Sequence, residues 1–277
     1  MPLVLESLAD AGPLSVDLSG IVPDRVATLS PADVLRLVIR ADERPVELGA
    51  LFRVAGDPAS GRIECRGDFS RVHWIGAGLA RGEVVVDGSA GRHAGEGMTG
   101  GTLRVRGDAG DWLACEMAGG EVHVAGSAGD NAAAALPGSR HGMRGGLVTI
   151  GGDSGGLAGA RMRRGILAIG GDCGPAAGFE LWAGTIVVGG SVGPQPGLGM
   201  RRGSLVVAGP APEPSVLFRR GAVWSPAFLG LLAARLDAAG FRPGGGPTVA
   251  ALAGPWRQWH GDLLAGGRGE LFLRAAA

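Results

Sequence analysis

The side chains of this sequence best suited to chemistry are arginines that recur at fixed places before a repeating glycine. Arg144, Arg163, Trp182, Arg201 and Arg219 stand two residues before it, and Arg164, Arg202 and Arg220 stand one residue before it. A planar guanidinium binds a carboxylate through paired hydrogen bonds. The series therefore predicts contact with a partner subunit or a polycarboxylate ligand, with a solvated face as the plain alternative. Strands about 4.8 Å apart would stack Arg on Arg, well inside a Debye length of about 8 Å, and such repulsion is relieved only by an acidic counterpart. Net charge is zero, yet residues 1–138 hold 12 Arg and 19 acids while residues 139–277 hold 14 Arg and 7 acids. Arg140 and His141 join the candidates because they fall in or beside the one long interval of the repeat, around 135–141.

Other apparent motifs do not survive their context. GDSGG at 152–156 spells a serine-protease signature at Ser154, but its equivalents elsewhere read GDAGD, GSAGD, GDCGP and GSVGP, which makes Asp153 and Ser154 corner residues. GEGMTG at 95–100 fits a dinucleotide-binding pattern, but another repeat follows where a helix should begin. Asp57, Asp68, Ser89, Asp108, Ser127, Asp153, Asp172 and Ser191 recur at one corner, where a short acceptor bonding its own turn is a simpler account than calcium. His73, His93, His123, His141 and His260 lack metal-ligand spacing, and all but His141 are expected at the surface. Cys65, Cys115 and Cys173 match no CxxC spacing, so neither a disulfide framework nor a cysteine zinc site is expected. All 26 basic residues are Arg, which excludes a P-loop lysine, a Schiff base and a lysine general base. No catalytic residue, metal ligand or cofactor is assigned to this chain.

The elements that must position the arginines follow from a repeat. Of 277 residues 54 are Gly, and cutting before each Gly that opens a short apolar strand gives pieces at Gly82, Gly101, Gly120, Gly146, Gly165, Gly184, Gly203 and Gly221. Most pieces are 19 residues long, and the one from Gly120 runs 26. A related piece starts at Gly61, and a partial one covers Phe52 to Asp57. Alternation places two inward columns, one from Ile63 and Val84 to Leu205, the next from Cys65 and Val86 to Val207. A third column holds Leu79, Met98, Met117, Met143, Met162, Leu181, Met200 and Phe218 and takes five of the six methionines, so it is read as core and not as a soft-metal site. Repeats this short, with strand periodicity and no room for a helix, predict an all-β fold: a single-stranded parallel β-helix of about eight to nine coils of about 19 residues.

Open ends would expose strand edges, so caps are expected. Residues 1–47 are read as an N-terminal cap, with a strand-like LSVDL and a helix signal at Ser30, Pro31 and Asp33. Residues 48–224 form the β-helix, and 225–277 a helical C-terminal cap and tail in which SPAFLGLLAARLDAAG repeats the Ser–Pro start and ends on Gly. The start MPLVLESLADAG carries Glu6 and Asp10 where a signal peptide would be basic, and no apolar run approaches about 18 residues. A soluble cytoplasmic protein that binds neither membrane nor nucleic acid is expected.

The Gly-rich coils resemble the C-terminal β-helical domain of the glutamate synthase large subunit. Over nearly the whole chain, the cap leading into VELGALFRVAGD at 46–57, the inserted PGSRHGMRGG at 137–146 and the late GDLLAGGRGELFL at 261–273 resemble the C-type subunit of the formylmethanofuran dehydrogenase family. That family includes a molybdenum or tungsten enzyme of methanogenic archaea and a bacterial formyltransferase/hydrolase complex without redox chemistry. An Ala-, Gly- and Arg-rich chain lacking Lys fits high-GC coding and favours the bacterial complex. The resemblance implies a non-catalytic scaffold subunit in one-carbon oxidation. The complex moves a formyl group from formyl-tetrahydromethanopterin to a methanofuran-type coenzyme and releases formate, with the chemistry on an amidohydrolase-like subunit and a formyltransferase subunit, beside one further subunit. The Arg columns and the 135–144 loop would then meet a partner or the glutamate-rich tail of the coenzyme. A glutamate synthase-type domain and a structural homo-oligomer are the alternatives.

Overall fold

Apolar alternation in each repeat gives one short strand, and identical spacing sets each strand beside its equivalent in the next repeat. The computed structural model describes residues 1–8, 14–246 and 248–275. In chain order the elements are β1 (Leu3–Ser7), β2 (Val16–Asp17), α1 (Pro23–Val26), α2 (Pro31–Leu35), β3 (Val38–Ala41), β4 (Arg44–Glu47), β5 (Phe52–Ala55), β6 (Arg62–Arg66), β7 (Val72–His73), β8 (Glu83–Val86), β9 (Thr99–Val105) and β10 (Gly119–Val124). There follow β11 (Leu147–Ile150), β12 (Ile166–Ile169), β13 (Thr185–Val188), β14 (Ser204–Val207), β15 (Arg219–Trp224), α3 (Ala227–Ala238), α4 (Thr248–Leu252), β16 (Trp256–Gly261) and β17 (Gly269–Arg274). The protein is mostly β, built on a large, mostly parallel sheet of 13 strands in the order β15-β16-β17-β14-β13-β12-β11-β10-β9-β8-β6-β1-β5. A four-stranded sheet, β4-β3-β2-β7, lies at the N-terminal end.

The register is that of the repeat: Ile63 faces Val84, Leu103 faces Val122, and Ile186 faces Leu205. Both inward columns and the methionine column are buried, from Leu79 at 0 % exposure to Phe218 at 6 %. A second parallel ladder of single bridges runs Phe69, Ala90, Ala109, Ala128, Ser154, Cys173, Val192. Ser154 is thus an inward core position, buried, with no protease chemistry available to it. The opposite face of the strands is also covered, since Leu147, Ala168, Val187 and Val206 pack with Leu229, Leu232 and Leu236 of α3.

Both ends depart from the repeat. β1 pairs parallel with β6, Leu3 facing Ile63 and Leu5 facing Cys65, so the N-terminus supplies the strand before the first full repeat. The Phe52–Asp57 piece is not a repeat: β5 runs antiparallel to β1 and forms the sheet edge. At the other end β14 pairs with β17, and β15 lies beyond β16 at the opposite edge. The piece opened by Gly221 therefore does not stack on the one before it. Helix α2 starts as expected, with a capping box between Ser30 and Asp33. Helix α3 starts one residue later than Ser225 would set it, with Pro226 at the cap and no side-chain cap bond.

The corner acceptors also differ from expectation. Asp57 and Asp68 do bond their own turns, accepting the Ala59 and Ser70 N–H groups at 2.9 Å. From Ser89 to Asp172 each acceptor instead takes an N–H from the next repeat: Ser89 accepts from Asp108, Asp108 from Ser127, Ser127 from Asp153, Asp153 from Asp172, and Asp172 from Ser191. The column is a hydrogen-bonded ladder along the molecule.

Candidate functional site

Arg163 and Arg164, Trp182 and Ala183, and Arg201 and Arg202 precede β12, β13 and β14, so three neighbouring turns bring them to one place. With Arg268 they line a cleft of about 410 Å³. The Arg201 guanidinium lies over the Trp182 ring, 4.3 Å from its centroid. Such stacking holds the cation at a fixed height while its N–H fork stays free. His141 also meets Trp182, edge-on, at 4.9 Å between centroids. The long loop is thereby joined to the arginine cleft. Arg161 ties the loop down, donating from one nitrogen to Glu180 at 2.8 Å and from another to the Ser139 carbonyl at 3.2 Å. Glu116 accepts the Leu136 N–H at 3.2 Å from the preceding repeat.

Along β6, β8 and β9 arginines meet acids locally: Arg62 and Arg104 both reach Glu83, at 2.9 and 3.0 Å, and Arg106 reaches Asp87 at 2.8 Å. Arg140, Arg144, Arg163, Arg164, Arg201, Arg202, Arg219, Arg220 and Arg268 are all exposed, and none makes an ion pair or side-chain hydrogen bond with a described residue. The His141 Nδ1 is buried and likewise has no hydrogen-bond partner among the described residues. A buried polar atom without a partner costs about 1–3 kcal/mol. Unpaired cations beside it make the cleft a place where an anionic group would gain several charge-assisted bonds at once.

The structure brings Arg163, Arg164, Arg201 and Arg202 together and sets Arg219 and Arg220 apart from them. Arg144 precedes Arg163 by one repeat, and the Arg163 N–H bonds the Met143 carbonyl. Arg219 and Arg220 open β15, three strands from β14, which puts them about 14 Å from the stack instead of one strand away. Their place is taken by Arg268. Ser204 faces Glu270, so Arg268 precedes β17 as Arg202 precedes β14. The signal was present as the Arg-Gly before ELFLR, which copies the end of the RRG before the apolar strands at Ile166 and Ser204.

The histidines are the second correction. His73 is buried and accepts the Arg92 N–H on Nδ1 at 2.9 Å, His93 is stacked between Trp74 and Trp112, and His123 bonds Thr149 at 2.9 Å and Glu121 at 3.1 Å. None of these three is a free surface group. Among the described residues one set of potential metal-ligand atoms converges, from His93, Glu96 and Cys115.

A large parallel sheet grown from stacked Gly-rich repeats, with an unpaired arginine cleft at one set of turns, defines the class: a repeat-built β protein that presents a fixed cationic surface. No protein-family model matches the chain, and no curated protein does. Among solved structures it is similar to a chain of the X-ray crystal structure of the formyltransferase/hydrolase complex (FhcABCD) from Methylorubrum extorquens in complex with methylofuran. The two are 34% identical, the match covers 99% of this chain and 100% of that one, and the TM-score is 0.88. The chain belongs to the family of that complex component. No helix among the described residues is long and apolar enough to cross a membrane.

Proposed function

We propose that this chain is the C-type scaffold component of a cytoplasmic formyltransferase/hydrolase complex. In this reading the repeats close into a parallel β-helix over 48–224, residues 1–47 and 225–277 cap it, and the chain carries no catalytic residue, metal or cofactor of the formyl-transfer reaction. It docks an amidohydrolase-like subunit beside a formyltransferase subunit and one more. Those partners move the formyl group from formyl-tetrahydromethanopterin to a methanofuran-type coenzyme and release formate. The arginine cleft holds carboxylates, either of a partner or of the glutamate-rich coenzyme tail. The full-length likeness to the methylofuran-bound complex supports the assembly. The observation that carries the role of the cleft is its set of unpaired arginines around Trp182.

The test is a triple variant, Arg163→Gln, Arg201→Gln and Arg268→Gln, purified with its complex. Loss of carboxylate contacts at a partly hydrated site should raise the coenzyme KM, or weaken subunit association, by at least about tenfold, equivalent to about 1.4 kcal/mol. The paired control, Arg219→Gln with Arg220→Gln, lies off the cleft and should change neither. If the triple variant assembles and turns over as the parent does, the cleft is a solvated face. Co-purification with molybdenum- or tungsten-bearing redox subunits, or recovery without any foreign subunit, would overturn the assignment to this complex.

A further inference from the structure

Each repeat turns through a residue of positive φ, and these residues stack: Trp74, His93, Trp112, Asn131, Leu157 and Ala176. Three positions further on, the repeats carry Ala77, Glu96, Cys115, Ala134, Ala160 and Phe179. That second column is small or apolar except at two adjacent members, Glu96 and Cys115. Polar groups set into an otherwise apolar column mark a place where packing alone did not choose the residues.

The imidazole of His93 is clamped. Trp74 stacks on one face at 4.7 Å between centroids and 9°, and Trp112 lies on the other at 6.1 Å and 7°. In this position the His93 Nδ1 is 2.6 Å from a Glu96 carboxylate oxygen, and the Trp74 indole N–H donates to the same oxygen at 3.1 Å. The imidazole contact holds the Glu96 carboxyl below its ordinary range, while burial, and then the nearby Glu96 charge, push the Cys115 thiol up. Cys115 is buried, and His93 and Glu96 remain 18 % and 25 % exposed at their side chains, which leaves an approach from solvent.

We propose that His93, Glu96 and Cys115 bind one divalent cation of the zinc type. Their nitrogen, oxygen and sulfur ligand atoms all lie within 4.8 Å of one another. A tetrahedral ion with bonds of about 2.0–2.3 Å needs its ligands about 3.3–3.8 Å apart, so modest side-chain rotation completes the geometry. Imidazole, carboxylate and thiolate together select a borderline-soft metal over calcium or magnesium. On binding, the Cys115 S–H bond breaks, its proton leaves to solvent, and sulfur donates its lone pair to the metal. Carboxylate plus thiolate then balance the two positive charges. Three protein ligands leave a fourth coordination position open. Trp74 is a positioning residue that aims the carboxylate.

The experiment uses the full-length chain, stripped with chelator and titrated with Zn²⁺ and with Co²⁺ as a spectroscopic probe. The replacements are taken from the same columns in other repeats: His93→Asn, Glu96→Ala and Cys115→Ala. We expect one metal per chain, a thiolate-to-cobalt charge-transfer band that disappears in Cys115→Ala, and affinity lower by at least about tenfold in the other two. Trp74→Phe should shift the cobalt ligand-field spectrum and weaken binding by about 10–100-fold with the circular dichroism unchanged. A protein that takes up no stoichiometric zinc, or a cobalt band that persists in Cys115→Ala, overturns the site. Neither readout depends on the partner subunits.

Discussion

His73 lies on β7, within the piece that starts at Gly61, with its Nδ1 accepting the Arg92 N–H, a bond that only a neutral imidazole can accept. Burial first, then the nearby charges of Arg92 and His93, lowers its pKa from the ordinary 6.5, and burial does the same for His123. The unfolded chain takes up these protons near 6.5 and the folded chain only at lower pH. Their contribution to stability is therefore complete above about 6.5 and is lost as pH falls through the folded values. A second loss follows in stronger acid: Asp68 and Asp172, lowered from 3.8 by the hydrogen bonds they accept from Ser70 and Ser191, contribute above about 3.8 and fail below their folded values. Urea midpoints should fall from pH 7.5 to pH 5.5 and again below pH 4. An NMR titration of His73 with a midpoint at or above 6.5 contradicts the first step. The sequence left these histidines at the surface because an isolated His has no spacing signal, and only the stacking of turns shows what each ring meets.

The strand columns could be read directly, since a period of two along each strand and 19 between strands leaves one way to bury Ile, Val and Leu together. Five methionines at one interval marked the third column for the same reason. What the pattern could not give is the partner of the last repeat, because β17 pairs with β14 across 66 residues, Ser204 to Glu270, while Gly221 offers an equally plausible continuation in sequence. The glycines test this element-scale logic. At Gly120, with φ of +90°, a Cβ would lie 2.5 Å from the Gly100 carbonyl oxygen and 2.7 Å from that of Gly101, both backbone of the preceding repeat. At Gly61, with φ of +71°, a Cβ would meet nothing within 4 Å. Gly61→Ala should therefore cost only the left-handed backbone term, about 1 kcal/mol. Gly120→Ala must also move two stacked repeats apart and should cost about 3 kcal/mol or more by urea unfolding. Equal losses at the two sites would mean that stacking tolerances are looser than these distances imply.

At the scale of the molecule, ten strands among the described residues run parallel in one ladder, and both ends of that ladder are formed by strands distant in the chain, β1 at one end and β17 at the other. Ending the parallel ladder this way covers the outer strands of the repeat and leaves the antiparallel strands β5 and β15 as the edges of the sheet. β17 does more than cover an edge. Leu271 continues the inner core, Phe272 packs with Val206 and the α3 face, and Arg268 just before it completes the arginine cleft. Both Leu271 and Phe272 are 0 % exposed. Phe272→Ala should cost about 3–5 kcal/mol through the cavity it leaves, a large part of the 5–15 kcal/mol typical of a folded domain. Truncation before Gly269 should do something different in kind, because it also frees β16 and β15 and bares the β14 edge over Ser204–Val207. Sedimentation or light scattering should then report concentration-dependent self-association, whereas Phe272→Ala stays monomeric at temperatures where it remains folded. A truncated chain that is stable and monomeric would show that β14 can end the ladder unaided, and the cleft would then owe Arg268 alone to the C-terminal strand.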